Sequence, residues 1–505
     1  MSTQDKTNTL YQDAKPCGPF QEEPLSFEYP ETGAMGVKLR ELDVPEVSPD
    51  QAMAGAALRT DGLKPLPQLS EFDVVRHFTR LSKMNVSIDA AMYPLGSCTM
   101  KYNPRINETI ARMNGMGNLH PMMPDELVQG TLEVLYKLEE ALCEVTGFPM
   151  VTLQPAAGAQ GELVGVMLIR ARLAAKGENR RYILVPDSAH GTNPASAALS
   201  GFDVREVKSG ADGCIDLADL KEKMDEDVAG LMLTNPNTLG IFEKDITAIA
   251  EVVHAKGGYI YCDGANMNAQ VGIARPADFG MDVLHLNLHK TFSTPHGGGG
   301  PGAGPCFCTE ELAPYLPTPK VEKDNDTYRL NWNNPESIGK VSTFYGNTAI
   351  LVRAYSYILA MGGDGLREMS EVAVLNANYL RHHLKDLLHV SFDTPTLHET
   401  VFSDKGLANH GGITTMDVAK RLIDYGFHPP TVHFPLTVHG ALMIEPTESE
   451  PREELLRFVA AIRAILAEGD TNPELVKGAP HLAPRKRLDE TAAARNPVLR
   501  WKPAE

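Results

Sequence analysis

The chain has 505 residues, 43% hydrophobic and 22% charged, with a formal net charge of −18, enough length to bury a large core and divide into more than one domain. The acidic balance argues against nucleic acid or an anionic membrane surface as the main partner, and no window approaches the roughly 20 apolar residues of a membrane span. The N-terminus, MSTQDKTNTLYQD, has neither the apolar core of a secretory signal nor the Arg-rich pattern of a transit peptide, so a cytoplasmic location is expected.

Residues 1–67 are rich in Pro, Gly and charge with little apolar period, the pattern of an extended arm with short helices that wraps a partner or the body of the protein. At Ser70 the pattern changes: Phe72, Val75, Phe78 and Leu81 recur at helical spacing, and Asp73 stands at the capping-box position. The segment AMYPLGSCTMKYNPR, 91–105, is a loop, because Pro94, Gly96 and Pro104 interrupt regular structure. A long helix is expected over 125–146. Strands are then expected at 150–153, 182–185, 203–207, 230–234, 259–262 and 283–288, separated by helical patterns, which is the signature of a mainly parallel sheet with helices on both faces. A helix over 346–361 leads out of this region into a smaller α+β unit with a strand at 441–445 and a helix at 451–466. The expected division is therefore 1–110 (arm and short helices), 111–345 (large α/β domain), 346–478 (small α+β domain) and 479–505 (tail). Seven cysteines, Cys17, Cys98, Cys143, Cys214, Cys262, Cys306 and Cys308, show no regular spacing, so reduced thiols are expected. Alternation on a strand puts Cys306 and Cys308 on one face, as core side chains rather than metal ligands.

The segment VLHLNLHKTFSTPHGGGGPGAGP, 283–305, ends an apolar strand on Lys290 and continues into a run of glycines. A rigidly held Lys that can lose its proton is what a carbonyl cofactor requires. Upstream, YIYCDGANMN delivers Asp263 to the carboxyl end of another strand, where ligands sit in open α/β sheets. Pyridoxal phosphate needs an acidic group at its ring nitrogen as well as a Lys for its aldehyde. Three further strand ends offer the remaining groups. The turn at Ala157, Gly158 and Ala159 opens a helix whose backbone N–H groups can approach an anion. His190, after YILVP, can stack on a flat ring and exchange protons. Thr234, Asn235 and Asn237 supply short hydrogen-bonding side chains. Each feature alone is common in tight connections and loops; their order, each after its own strand, is what carries the inference.

That ordered set resembles the fold-type-I pyridoxal phosphate enzymes. HLNLHKTF with PHGGGGPGAGP, the loop PLGSCTMKYNP, YCDGANMNAQVG and the C-terminal RKRLDETAAARNPVLRW narrow the resemblance to the glycine dehydrogenase (decarboxylating) family of the glycine cleavage system, the P-proteins, from about Tyr93 to Trp501. The chain is similar in length to the second of two subunits into which many bacteria split the enzyme. The resemblance implies Lys290 as the Schiff-base lysine, Asp263 as the pyridinium partner, His190 and Ala265 flanking the ring, and the Ala157–Ala159 turn at the phosphate. The single-chain members of that family tend to place a Ser or Thr hydroxyl in that turn; Ala156 and Ala157 leave only backbone donors here, and His289, Thr291, or Asn347 from a neighbouring subunit, are the further candidates.

The implied activity is that of EC 1.4.4.2, an oxidoreductase of glycine catabolism. Glycine is decarboxylated and the aminomethyl group passes to the lipoyl group of H-protein, with Lys290 and His190 as candidate proton carriers. The implied partners are glycine dehydrogenase subunit 1 and H-protein, in an α2β2 heterotetramer. The loop 94–104 is the candidate wall of a lipoyl channel, or else a subunit contact. Two rivals remain at this point. One is another enzyme of the fold, an aminotransferase or amino-acid decarboxylase, although ALMIEPTES lacks the Arg with which aminotransferases usually bind a carboxylate. The other is a non-catalytic scaffold subunit, which would have no use for Lys290 or Asp263.

Overall fold

The structure, a computed structural model, describes residues 23–29, 36, 40–53 and 67–500. Most of the arm expected over 1–67, with Cys17, and Trp501 at the end of the last motif lie outside the described residues. The chain divides into two compact units, 1–87 with 480–505, and 88–479. In the first, the helix Glu71–Lys83 starts as its capping box requires: Asp73 donates its N–H to Ser70 Oγ, and Ser70 donates its N–H to Asp73 Oδ2, each at 3.2 Å. Its apolar stripe is exposed at Phe72, Val75 and Phe78.

The second unit is built on a seven-stranded sheet of β1 (Met150–Thr152), β2 (Tyr182–Pro186), β3 (Asp203–Val207), β4 (Val228–Thr234), β5 (Tyr259–Gly264), β6 (Val283–Leu286) and β7 (Cys306–Cys308), in the order β1-β7-β6-β5-β4-β2-β3. The strands from β3 to β6 pair in parallel, while β7 runs antiparallel to both β6 and β1. β4, β5 and β6 are buried at every residue, as expected of parallel strands covered on both faces. Successive side chains serve opposite cores. Ile260 and Cys262 pack with Leu132, Leu135, Leu138 and Leu142 of the helix Gln129–Thr146. Tyr259 and Tyr261 pack with Val164 and Leu168 of the helix Gly158–Ala175 and with Cys306 and Cys308. Gly165 sets the approach of that second helix, since a Cβ there would fall 2.5 Å from the Tyr261 ring. All six cysteines within the described residues are free.

A hairpin, β8 (Lys320–Asp324) with β9 (Thr327–Asn331), leads to the helix Thr348–Leu384, which breaks at Gly362 (φ 61°). A four-stranded antiparallel sheet follows, with β10 (His389–Val390), β11 (Thr400–Ser403), β12 (Thr431–Val432) and β13 (Leu442–Ile444) in the order β10-β11-β13-β12. It shares a core with the helices Thr415–Asp424 and Arg452–Thr471.

Three expected elements differ in more than the placement of their ends. The helix foreseen over 125–146 is a short turn, Asp125–Leu127, followed by Gln129–Thr146, because Val128 leaves helical geometry (ψ 24°). The helix foreseen over 346–361 starts at Thr348 and runs to Leu384 across the Gly362 break. The strand foreseen over 283–288 ends at Leu286: its pairing with β5 stops at Gly264, and Leu288–Thr291 closes into one helical turn. Lys290 therefore sits on that turn, not on the strand.

Candidate active site

The carboxyl ends of β4, β5 and β6, with the turn after β1 and the loop after β2, enclose a cavity of about 270 Å³. Lys290, Asp263, His190, Ala265, His289 and the turn Ala157, Gly158 and Ala159 all line it. Asn235 does not. It is buried beneath, its Oδ1 accepting the Glu243 N–H at 3.0 Å and its backbone carbonyl accepting from Gln270 Nε2 at 2.5 Å. Asn237 is likewise spent on structure, donating to Glu243 and to the Gly213 carbonyl, 2.9 Å each. Asn347 of this chain lines a neighbouring cavity of about 520 Å³ and donates to the Ala156 and Gly302 carbonyls at 3.3 and 2.8 Å, bracing the Ala turn from outside. Thr291 is buried, its hydroxyl has no partner among the described residues, and it does not reach the cavity wall.

Asp263 closes β5, 3% exposed. Its Oδ1 accepts the Ala265 N–H at 2.9 Å and lies 3.5 Å from His285 Nε2, while Oδ2 accepts from Asn193 Nδ2 at 3.2 Å. Burial alone would raise its pKa; His285, the Ala265 N–H, Lys290 and Asn193 outweigh it and hold the carboxyl below the usual range. A buried carboxylate of this kind fits a cationic ring nitrogen. Beside it Glu162, one turn into the helix Gly158–Ala175, accepts from the same Asn193 amide at 2.8 Å. Burial and the Asp263 charge push Glu162 up to about 8, so the proton resides on Glu162 and the charge on Asp263.

Lys290 Nζ donates to the Ser97 carbonyl at 2.7 Å, which brings the loop 91–105 into the site. His190 Nδ1 accepts the Thr192 N–H at 3.3 Å and lies 2.9 Å from the Thr192 hydroxyl. Burial holds the imidazole neutral, with its pKa lowered. His289 is lowered to about 3 by burial, then by Lys290 and His296, with Nδ1 accepting the Ala303 N–H at 3.3 Å. At the other end the helix Gly158–Ala175 begins at Ala157 with no side-chain cap, leaving its first N–H groups for an anion. The cradle is tight: a Cβ on Gly158 would meet Asn287 Oδ1 at 2.0 Å, and one on Gly304 would meet the Ala157 carbonyl oxygen at 2.1 Å. Two buried polar atoms of cavity residues, Thr234 Oγ1 and Asn287 Oδ1, have no partner among the described residues. An amine, a buried carboxylate, an uncapped helix start and unpartnered polar atoms in one cavity are the donor set that pyridoxal phosphate requires.

Ser97, Glu162, Thr192, Thr238 and Asn287 also line the cavity and were not singled out from sequence. One signal was available: Glu162 is the sole acidic residue between Gly158 and Ala175, in a largely apolar helix.

Residues 160–299 match the family model described as aminotransferase class-V, and residues 369–479 match the glycine dehydrogenase, C-terminal domain. The chain is 55% identical over 479 residues to a protein of Caldanaerobacter subterraneus subsp. tengcongensis named "Probable glycine dehydrogenase (decarboxylating) subunit 2", covering 94% of this chain and 98% of that relative. Proteins of the same name from Listeria innocua and Bacillus cereus are 54% identical over 479 residues (95% and 98% covered) and 53% over 486 (96% and 99%). Among solved structures, a glycine decarboxylase (P-protein) of the glycine cleavage system in inhibitor-bound form superposes with TM-score 0.70 at 20% identity, covering 83% of this chain and 95% of that one. A cysteine desulfurase from Thermococcus onnurineus NA1 gives 0.59 at 15% identity, covering 75% and 95%. The architecture is that of the fold-type-I pyridoxal phosphate enzymes.

Proposed function

This chain belongs to the glycine dehydrogenase (decarboxylating) subunit 2 family, and we infer that the cavity under Lys290 is where it binds pyridoxal phosphate and decarboxylates glycine. It is an enzyme of the glycine cleavage system, with the P-protein activity; the aminotransferase and scaffold readings give way to that membership. The observation that carries the site assignment is the placement of Lys290 and Asp263 on the wall of one cavity of about 270 Å³.

When bound, the cofactor supplies an electron sink for the carbanion that loss of carbon dioxide creates. The chain's own residues do the rest. Lys290 would be the amine that holds the aldehyde, and its free amine would supply a base within the site. The Asp263 carboxylate keeps a proton on the ring nitrogen, and Glu162, being neutral, adds no competing charge. His190 presents an imidazole edge that can stack on the ring or relay a proton from Nε2. The N–H groups at the start of the helix Gly158–Ala175 hold the phosphate, braced by Asn347 from behind.

The aminomethyl acceptor is the lipoyl group of H-protein, and the loop 94–104 forms part of its approach, supported by the position of Ser97 beside Lys290. The working assembly includes glycine dehydrogenase subunit 1, as two copies of each. The exposed Phe72, Val75 and Phe78 of the arm helix support a role for that arm in covering a neighbour. Lys290→Ala, reconstituted with the first subunit and a lipoylated carrier, should lose glycine carboxyl exchange with bicarbonate and the borohydride-sensitive visible absorbance of the bound cofactor. Exchange at the wild-type rate would overturn the assignment.

A further inference from the structure

The loop that caps Lys290 is tied from behind to two buried carboxyl groups that the reaction above does not use. Ser97 accepts from Lys290 Nζ through its carbonyl and donates its N–H to Glu399 Oε2 at 2.9 Å. Thr99 donates its N–H to Glu445 Oε2 at 3.0 Å and its hydroxyl to Glu445 Oε1 at 2.5 Å. Glu399 directly precedes β11 and Glu445 directly follows β13, and Thr400 of β11 pairs with Ile444 of β13, so the strand register itself places the two acids together. A carboxylate oxygen of each and an imidazole nitrogen of His398 lie within 4.8 Å of one another, and all three residues are fully buried.

Two charges of one sign at that separation, out of water, cannot both persist. The hydrogen bonds indicate where the single charge lies. Both oxygens of Glu445 accept from Thr99, whereas Glu399 Oε1 has no partner among the described residues. We propose that Glu399 and Glu445 form a one-proton, one-charge pair, Glu399 neutral and Glu445 ionised, that positions residues 96–99 and thereby fixes Lys290. The proposal rests on Lys290 being the reacting amine. Burial drives both acids upward, Glu399 the further, with Glu445 adding to it, and Lys290 pulls both down. The other titratable groups facing the pair are His398, lowered to about 3 by burial and Lys290, Glu448, and Cys98, whose thiol burial raises. None of them supplies a second cation. Glu399 and Glu445 are positioning residues: they reach the reacting amine only through Ser97 and Thr99.

The test is amide hydrogen exchange by mass spectrometry on the cofactor-free full-length chain, beside glycine–bicarbonate exchange in the reconstituted enzyme. Glu399→Gln copies the neutral acid, so protection of residues 96–100 should stay within about twofold of wild type; Glu445→Gln removes an acceptor from Thr99 and should speed their exchange about tenfold or more. Glu445→Gln should lower kcat about tenfold with KM little changed, and Glu445→Asp should recover part of the loss. In wild type the protection, corrected for intrinsic rates, should fall as pH rises and Glu399 gives up its proton, while Glu399→Gln keeps it. Equal damage from both Gln variants, unchanged protection in Glu445→Gln, or one equivalent of divalent metal that stays with the chain and is lost in His398→Ala would each overturn the proposal. An active Lys290→Ala enzyme would instead overturn the function reading and leave the hydrogen-exchange result standing.

Discussion

Glu162 and Asp263 take hydrogen bonds from a single donor, Asn193 Nδ2, at 2.8 and 3.2 Å, and that shared amide bridges one neutral and one ionised carboxyl group. Burial and the neighbouring charge push Glu162 up to about 8, while His285, Lys290 and the Ala265 N–H keep Asp263 low. Glu162→Gln keeps both shape and neutrality, so turnover should stay within about threefold. On the proposed assignment Asp263→Asn removes the anion that would face the ring nitrogen, and turnover should fall about 10²- to 10³-fold. Steady-state glycine–bicarbonate exchange measures both; equal effects would contradict the division of roles.

His190 stays neutral because burial lowers its pKa, with Nδ1 committed to Thr192. Stacking needs only a flat ring, so His190→Phe should hold the cofactor within a few-fold of wild type, whereas His190→Ala should weaken it about tenfold. If turnover also survives in His190→Phe, the imidazole is not a required proton carrier. Cofactor titration followed by absorbance, with turnover alongside, separates the two roles.

Gly304 gives way to the Ala157 carbonyl, and a Cβ there would sit 2.1 Å from that backbone oxygen. Gly304→Ala must therefore shift the turn that starts the helix Gly158–Ala175. Cofactor affinity should drop at least about tenfold while the far-ultraviolet circular dichroism stays unchanged. Affinity equal to wild type would place the phosphate elsewhere.

Glu139 is buried in the helix Gln129–Thr146, with the Tyr345 hydroxyl at 3.3 Å, and burial pushes it up to about 8 from 4.5. Because its folded pKa is raised, its contribution to stability is fully present below its unfolded value and is lost as pH rises through that window. Glu139→Gln is spared this loss. The variant should gain on wild type by up to about 1.4 kcal/mol per pH unit between the two values, as measured by denaturant unfolding at several pH values. A gain independent of pH would show that Glu139 is not neutral in the fold.

Local chemistry made much of this protein legible in its sequence. Apolar runs ending in Asp263 and, one turn later, Lys290 announce buried parallel strands with functional ends, because covered strands need continuous hydrophobic residues and ligands collect at their carboxyl edges. The Ala157–Ala159 turn announces a helix start, and the helix does begin there without a side-chain cap. Other relationships depend on contacts between residues far apart in the chain, and only the tertiary structure decided them. No periodicity connects Ser97 to Lys290, Asn193 to Glu162, or Glu399 to Glu445; each meeting is set by how sheets and loops pack. The same packing withdrew Asn235 and Asn237 into the framework and set Asn347 behind the Ala turn, where its amide braces two carbonyls. Charge states followed the packing too. Which of two neighbouring acids keeps its proton is determined by burial and by the donors around it, neither of which a linear order of residues contains.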